Sequence, residues 1–372
     1  MHWTRRRVLH LGFLAAVAPL LEACGRSFGL SDLGLAPQQE GDPTAALTVE
    51  GLSLPADVRA LLQSSPVRVT PNGAFYVQTY DRVPQVDVAG WHLRIGGLVE
   101  RPYSLGYEEL LALPSVLTMR TLECIGNPVG GSLIGNAIWR GVPLANVLRR
   151  ADVREDPSTG SGQAPSTSAG RASRVIMAAA DGYETSVPLE TALDPDSLLV
   201  YEMNGVPLPS AHGYPVRVLF PGRYGQKQPK WLTDIELSDN ANHRGTWERK
   251  GWSNDAFVRV NSRIETPRSG LPLAAGEQSI AGVAFAGARA VSTVEVLVNG
   301  SVVGTAELNQ PGSPLVWTQW RLRWQGGPGQ WDLEARATDD AGSAQERSSG
   351  LLESVFPEGA NGRHRVRVRI EG

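Results

Sequence analysis

Asn299-Gly300 stands between two β-prone runs, Val294 to Val298, where Val294, Glu295 and Val296 alternate, and Ser301 to Thr305. Asparagine and glycine tolerate the positive φ angles of a two-residue turn, so the pair predicts an antiparallel hairpin and its register. Further alternating runs follow at Trp320 to Trp324, Trp331 to Ala337 and Arg365 to Ile370, with a turn at Asp339-Asp340-Ala341-Gly342. No helical periodicity separates them. The whole chain is rich in turn formers, with 41 glycines and 26 prolines; that composition favours strands over long helices.

Strands at this spacing predict an all-β, immunoglobulin-like sandwich over residues 253–372. A 372-residue chain has room for a further domain before it. Residues 72–252 mix both element types. Strands are expected at Phe75 to Tyr80, Trp91 to Ile95, Leu117 to Leu122, Val175 to Ala180, Leu198 to Met203, Val216 to Phe220 and Trp231 to Leu237. Helices are expected at Ser104 to Leu113, ended by Pro114, and at Pro143 to Arg150, with proline in the first turn. The expected class is α+β. Residues 154–174 read as a Ser/Gly/Pro/Thr surface insertion.

The N-terminus reads as an export signal over residues 1–24, with arginines 5–7 ahead of the apolar run Leu9 to Leu21. That run is short for a membrane span, and the arginine pair resembles a twin-arginine signal. Leu21-Glu22-Ala23-Cys24 resembles a lipobox in which Cys24 is lipidated, anchoring the chain to a membrane; the other reading is a plain signal with an incidental cysteine. The expected location is extracytoplasmic, and residues 25–71 read as a tether. A net charge of -3 excludes a basic nucleic-acid-binding field.

Chemistry concentrates in Arg120-Thr121-Leu122-Glu123-Cys124-Ile125-Gly126-Asn127-Pro128-Val129-Gly130-Gly131. A strand delivers a soft sulfur ligand into a glycine-rich loop where backbone can approach a bound group. Such a cysteine is a metal ligand, a nucleophile or a buried structural thiol. There is no Cys-x-x-Cys-His haem motif and no His-x-x-x-His zinc pair.

Several motifs in order make the chain resemble the sulfite-oxidase family of molybdenum enzymes over about residues 72–370. They are Cys124-Ile125-Gly126-Asn127, Tyr201 to Pro209, His212-Gly213-Tyr214-Pro215-Val216-Arg217, Pro221-Gly222 and Lys230-Trp231-Leu232. The resemblance implies a molybdopterin-binding domain, a sandwich of the type used for dimerisation, and a Mo-molybdopterin cofactor whose metal is ligated by Cys124. Gln78, Thr79, Tyr80, Asn146, His212, Arg217, Lys227, Gln228, Pro229 and Lys230 stand at cofactor-contact positions. Arg249 and Gln78 stand with Cys124 at catalytic positions. Without haem in the chain, electrons would pass to or from a separate protein.

Departures bear on the substrate. Gln78 replaces an arginine, Tyr80 a histidine, Pro128-Val129 a second arginine, Arg249 a tyrosine and Asn146 an aspartate. A small dianion such as sulfite wants converging cations. Arg223, Lys227 or Arg249 would have to supply them, or the substrate is neutral. Oxidation of an oxyanion and reduction of a sulfoxide, such as methionine sulfoxide, both stay open. Two rivals stand outside the family: a hydrolase or transferase with Cys124 as nucleophile and His212 as base, and a cofactor-free envelope-binding lipoprotein.

Overall fold

A computed structural model describes residues 54–65, 67–153, 171–270, 272–347 and 355–372, with Ala46. The export signal, Cys24, most of the tether and most of the 154–174 insertion lie outside these residues.

The N-terminal lobe is built on two sheets. One has the order β2-β1-β10-β5-β6, from β1 (His92–Gly97), β2 (Tyr103–Gly106), β5 (Arg174–Ala179), β6 (Glu184–Pro188) and β10 (Leu232–Ser238). Its β1–β10 pair is parallel, Ile95 facing Ile235, and its other pairs are antiparallel. The second runs β3-β4-β7-β8, with β9 also on β7. It uses β3 (Val116–Glu123), β4 (Ile134–Pro143), β7 (Leu198–Met203), β8 (Val206–Pro207) and β9 (Arg217–Leu219). Between the sheets Leu93, Ile95, Val175, Met177, Ile235 and Leu237 meet Val142, Leu199, Val216 and Val218. Each such side chain, fully buried, is worth about 1.5–3 kcal/mol.

The described helices are short: α1 (Ala56–Ser64), α2 (Tyr107–Leu111), α3 (Leu144–Arg150) and α4 (Leu189–Leu193). The expected α+β lobe is therefore mostly β. The helix expected over 104–113 is a strand followed by one helical turn. Leu105 pairs opposite Leu93 and is fully buried, so the sheet takes Tyr103–Gly106 and helix begins only after Gly106. The stretch Phe75 to Tyr80 forms no strand. Phe75 and Tyr76 are adjacent yet both buried, with rings stacked at 5.2 Å; successive strand side chains point to opposite faces, so this backbone leaves the pleat.

Residues 54–65 and 67–71, expected in the tether, are part of the packed structure. Val58, Val67 and Val69 are buried with Met119, Ile138, Val283, Phe285 and Trp317. Arg68 grips Glu265 with two hydrogen bonds, at 2.7 and 2.8 Å. The segment fills the seam between the lobes, which its Gly/Pro-rich surroundings did not reveal.

The C-terminal lobe has two sheets around one core. One runs β11-β13-β17-β16 and the other β12-β19-β18-β14-β15. The strands are β11 (Asn261–Thr266), β12 (Pro272–Ala274), β13 (Gly276–Phe285), β14 (Val291–Val298), β15 (Ser301–Thr305), β16 (Glu307–Asn309), β17 (Thr318–Gly326), β18 (Gly329–Asp339) and β19 (Arg365–Glu371). Asn299 and Gly300 have φ of 50° and 84°, and Val298 pairs with Ser301, as the hairpin signal requires. In β19 the arginines face out while Val366, Val368 and Ile370 are buried.

Candidate active site

β3 delivers Cys124 to a loop that closes on itself. The Cys124 amide donates to the Leu133 carbonyl at 2.9 Å, and the Asn127 amide donates to the Cys124 carbonyl at 3.0 Å. The Asn127 side chain accepts from the Leu133 amide and donates to Glu123, both at 2.9 Å. Glu123 is buried beneath the loop, and its second oxygen accepts from Asn261 Nδ2 at 2.9 Å. Burial raises its carboxyl to about 7, against the opposing pull of Asn127, Asn261 and Arg263.

Cys124 is half-buried. Burial pushes its thiol up to about 11, the Gly126 amide opposing and the Glu123 charge adding to the rise. An unligated thiol so placed is protonated at neutral pH, the opposite of an activated nucleophile. His212 Nε2 is engaged with the Asn72 carbonyl at 2.9 Å, and burial lowers its imidazole to about 4. No hydrogen bond joins Cys124 to His212 among the described residues, so the nucleophile–base pair of the rival hydrolase reading is not formed.

What His212 does join is a cluster of cations. Gly213, at φ 117°, turns the chain so closely that an added Cβ would lie 3.0 Å from the Arg217 Cβ and 3.2 Å from the Lys230 Cβ. Arg217 donates to the carbonyls of His212 at 3.1 Å and Gln228 at 3.4 Å, and its guanidinium lies over Trp139. Its Nε has no partner. Burial lowers Arg217 to about 10. Lys230 donates to the Ala211 carbonyl at 2.8 Å; burial, then Arg217, hold it well below its ordinary value, with only Asp181 opposing. Buried cations held by carbonyls and short of a carboxylate partner favour a bound anion. The donor set fits the phosphate of a pterin cofactor. Among the described residues no three His, Cys, Asp or Glu side chains converge on a metal position. Cys124 is the described cysteine at this site, and a metal held beside it would need further ligands from a cofactor.

The remaining expected contacts divide between the wall beside Arg217 and positions engaged in the fold. Lys227 is fully buried, donating to Glu248, to the Ser186 carbonyl at 3.0 Å and to Thr185 and Asn254 at 3.3 Å. Its side chain fastens the fold and offers no cation to a substrate; the contact expected of the 227–229 stretch is one of backbone, which this leaves open. Gln228 donates to the Arg223 carbonyl at 2.6 Å, and the Pro229 carbonyl accepts from Val218; both shape the wall beside Arg217. Arg249 is exposed and pairs with Glu184 at 3.0 Å. Arg223 donates to the Asp255 carbonyl at 2.5 Å and to Thr191 at 3.1 Å, and lies over Phe257. Asn146 is exposed on α3 and makes no hydrogen bond to the Cys124 or Arg217 groups. Gln78 and Thr79 are half-buried beyond Tyr76.

Around the sulfur the wall is aromatic, which the sequence did not suggest. Tyr76 belongs to the cluster against which Cys124 packs, and burial, then the Cys124 charge, raises its phenol; burial, then the Glu248 charge, raises that of Tyr183. Tyr183 donates to the Gln226 carbonyl at 2.5 Å. Its ring lies 6.0 Å from Tyr80, which meets Trp247 edge-on at 5.9 Å. Lys250 lies over both Trp247 and Tyr80. Trp247 and Lys250 arrive through the Glu248–Lys250 turn, more than 160 positions from Tyr80, so no local pattern links them.

A family model described as "Oxidoreductase molybdopterin binding domain" matches residues 80–247. The chain is 34% identical over 179 residues to "Uncharacterized oxidoreductase YuiH" of Bacillus subtilis, covering 46% of this chain and 80% of that one. It is 31% identical over 343 residues to the mitochondrial sulfite oxidase of Mus musculus, covering 81% of this chain. It spans 62% of that enzyme's length. In fold it is similar to the sulfane dehydrogenase SoxCD from Paracoccus pantotrophus, with TM-score 0.68, 22% identity, and coverage of 87% of this chain and 88% of that one. With its thiol loop and cluster of cations in these positions, the chain belongs to the sulfite-oxidase family of molybdopterin-binding oxidoreductases.

Proposed function

We propose that the chain holds a Mo-molybdopterin cofactor with Cys124 as its protein thiolate ligand and exchanges electrons with a separate redox protein. The observation that carries the reading is Arg217, a buried guanidinium with an unpartnered Nε beside Lys230 and His212. Arg217 and Lys230 would hold the phosphate, and His212, neutral at working pH, would add a hydrogen bond. Cys124 would lose its proton on ligation. When bound, the group supplies two-electron oxygen-atom transfer. Tyr76 and Tyr183 would keep water from the sulfur side, and the carbonyl wall at 226–229 would fix the orientation.

The substrate is a small sulfur compound. The family suggests an oxyanion, but one feature favours an organic sulfoxide: Lys227, Arg223 and Arg249 are each engaged in the fold, while Tyr80, Tyr183 and Trp247 form an aromatic rim. Aromatic faces suit the apolar substituents of a sulfoxide better than a hydrated dianion.

The arginine-bearing leader supports export, and Cys24 a lipid anchor outside the cytoplasm. The two C-terminal sheets support an immunoglobulin-like domain that pairs two copies of the chain.

The test is metal and pterin analysis of protein matured in a cofactor-competent host. About one molybdenum and one pterin per chain, with turnover lost in Cys124→Ser, supports the reading. Metal-free protein from that host would favour the binding-lipoprotein alternative, and turnover surviving in Cys124→Ser would overturn ligation.

A further inference from the structure

Three contacts from the C-terminal lobe converge on the loop that carries Cys124. Asn261 on β11 supplies the donor to one oxygen of Glu123, whose other oxygen holds Asn127. Glu123 is the residue before Cys124, so the lobe completes the hydrogen bonding of the carboxyl beneath the sulfur. Arg263, two residues along β11, donates to the Gly131 carbonyl at 2.6 Å. Its other arm is braced by Glu265 at 2.7 Å, itself gripped by Arg68. At Gly130, with φ 72°, an added Cβ would lie 2.1 Å from the His364 ring. That ring is fixed by accepting from the Ile264 amide at 3.0 Å.

The strand leading to the loop is held from the same side. β3 is the edge of its sheet. There the Thr121 amide donates to the Leu315 carbonyl at 2.9 Å, and Thr121 Oγ1 accepts from the Trp317 amide at 2.9 Å. An edge strand otherwise presents unpaired backbone groups. The cavity left between loop and lobe is about 10 Å³, lined by Glu123, Asn127, Gly131, Asn261 and Arg263. It has room for no more than one water, so the contact has little slack.

We propose that the C-terminal lobe positions the Cys124 sulfur, with Asn261, Arg263 and His364 as positioning residues that act through Glu123 and the 124–133 loop. The lobe is then part of the active-site scaffold in each single chain, whatever its role in pairing copies.

The test uses the full chain without cofactor, in a Cys24→Ser background so that Cys124 is the sole thiol. The rate of Cys124 modification by an uncharged thiol reagent is measured with amide exchange at Asn127 and Leu133. Asn261→Ala leaves a buried carboxylate oxygen without its donor. It should speed modification about tenfold or more and lower protection at both amides. Arg321→Ala, which breaks an exposed pair in the same lobe, should change neither. If Asn261 acts through Glu123, the double variant Glu123→Gln/Asn261→Ala should react no faster than the faster single one. Should Asn261→Ala fail to fold, Arg263→Lys is read in its place; it keeps a charge for Glu265 but falls short of Gly131. A rate within twofold of the parent in the folded variant, or fully additive effects, overturns the proposal. In cofactor-loaded protein Asn261→Ala should also alter the electron paramagnetic resonance of the reduced metal. That arm alone rests on Cys124 as metal ligand; labelling needs no metal, so the two ideas can fail separately.

Discussion

Lys227 and Glu248 form an ion pair sealed from solvent, their side chains 1% and 0% exposed. The pair ties the turn Gly225–Lys227 to the turn Glu248–Lys250. The first abuts Cys124: an added Cβ on Gly225 would lie 4.0 Å from the Cys124 Cα. The second is preceded by Trp247 and contains Lys250. One buried contact thus joins the sulfur side of the site to its aromatic rim.

Breaking that pair from one side leaves a charge in the interior. Lys227→Met should cost about 3–5 kcal/mol in urea unfolding, and Lys227→Met/Glu248→Leu should recover most of the loss. A single variant as stable as the parent would mean that water reaches Glu248.

Gly130 has two reasons to be glycine, a left-handed backbone and the adjacent His364 ring. Gly130→Ala should lose about 2 kcal/mol or more. Adding His364→Ala should return only the part due to collision. Full rescue would show that backbone strain contributes nothing.

Stability should fall on acidification below about pH 6.5. Burial lowers both His212 and His364 from 6.5 to about 4, so the unfolded chain takes up two more protons than the folded one as pH falls through that window. Glu123 opposes this: raised from 4.5 to about 7, it contributes stability fully below 4.5 and loses it as pH rises to about 7. Between 6.5 and 4.5 two groups stand against one, leaving a net loss on acidification of at most about 1.4 kcal/mol per pH unit. Urea midpoints at pH 5 and 6.5 test the sign, and His364→Gln should flatten the slope. A steeper slope in that variant would contradict the assignment.

Rim variants separate the substrate readings. Trp247→Ala and Tyr80→Ala should raise KM for an aryl or alkyl sulfoxide about fivefold or more, with a smaller effect on sulfite. Equal effects on both substrates would remove the rim from substrate selection.

Arg217→Met should abolish phosphate-dependent cofactor retention. Replacing an unpaired buried cation by an apolar chain of similar length should leave the cofactor-free fold as stable or more so. Retained pterin, measured by fluorescence after gel filtration, would show that Arg217 does not bind the phosphate.

Much of the chain was legible because the signals are local. The Asn299-Gly300 turn has the positive φ angles that asparagine and glycine permit. The alternation of β19 is its burial pattern. The ordered motifs around Cys124, His212, Arg217 and Lys230 fall on a closed thiol loop and on a cluster of cations. Where two elements competed, local pattern misled: Leu105 went to the sheet because a buried partner strand was available at Leu93.

The sequence by itself determined the family, the hairpins and the sulfur that faces a glycine-rich loop, because each follows from residues near one another along the chain. Only the tertiary structure decided that Lys227 serves Glu248, that Val58, Val67 and Val69 belong to the core, and that Asn261 completes the hydrogen bonding of Glu123. A buried ionisable group takes whatever opposite charge or hydrogen-bond donor the folded chain brings within reach, and Glu248 and Asn261 come from segments 21 and 138 residues away.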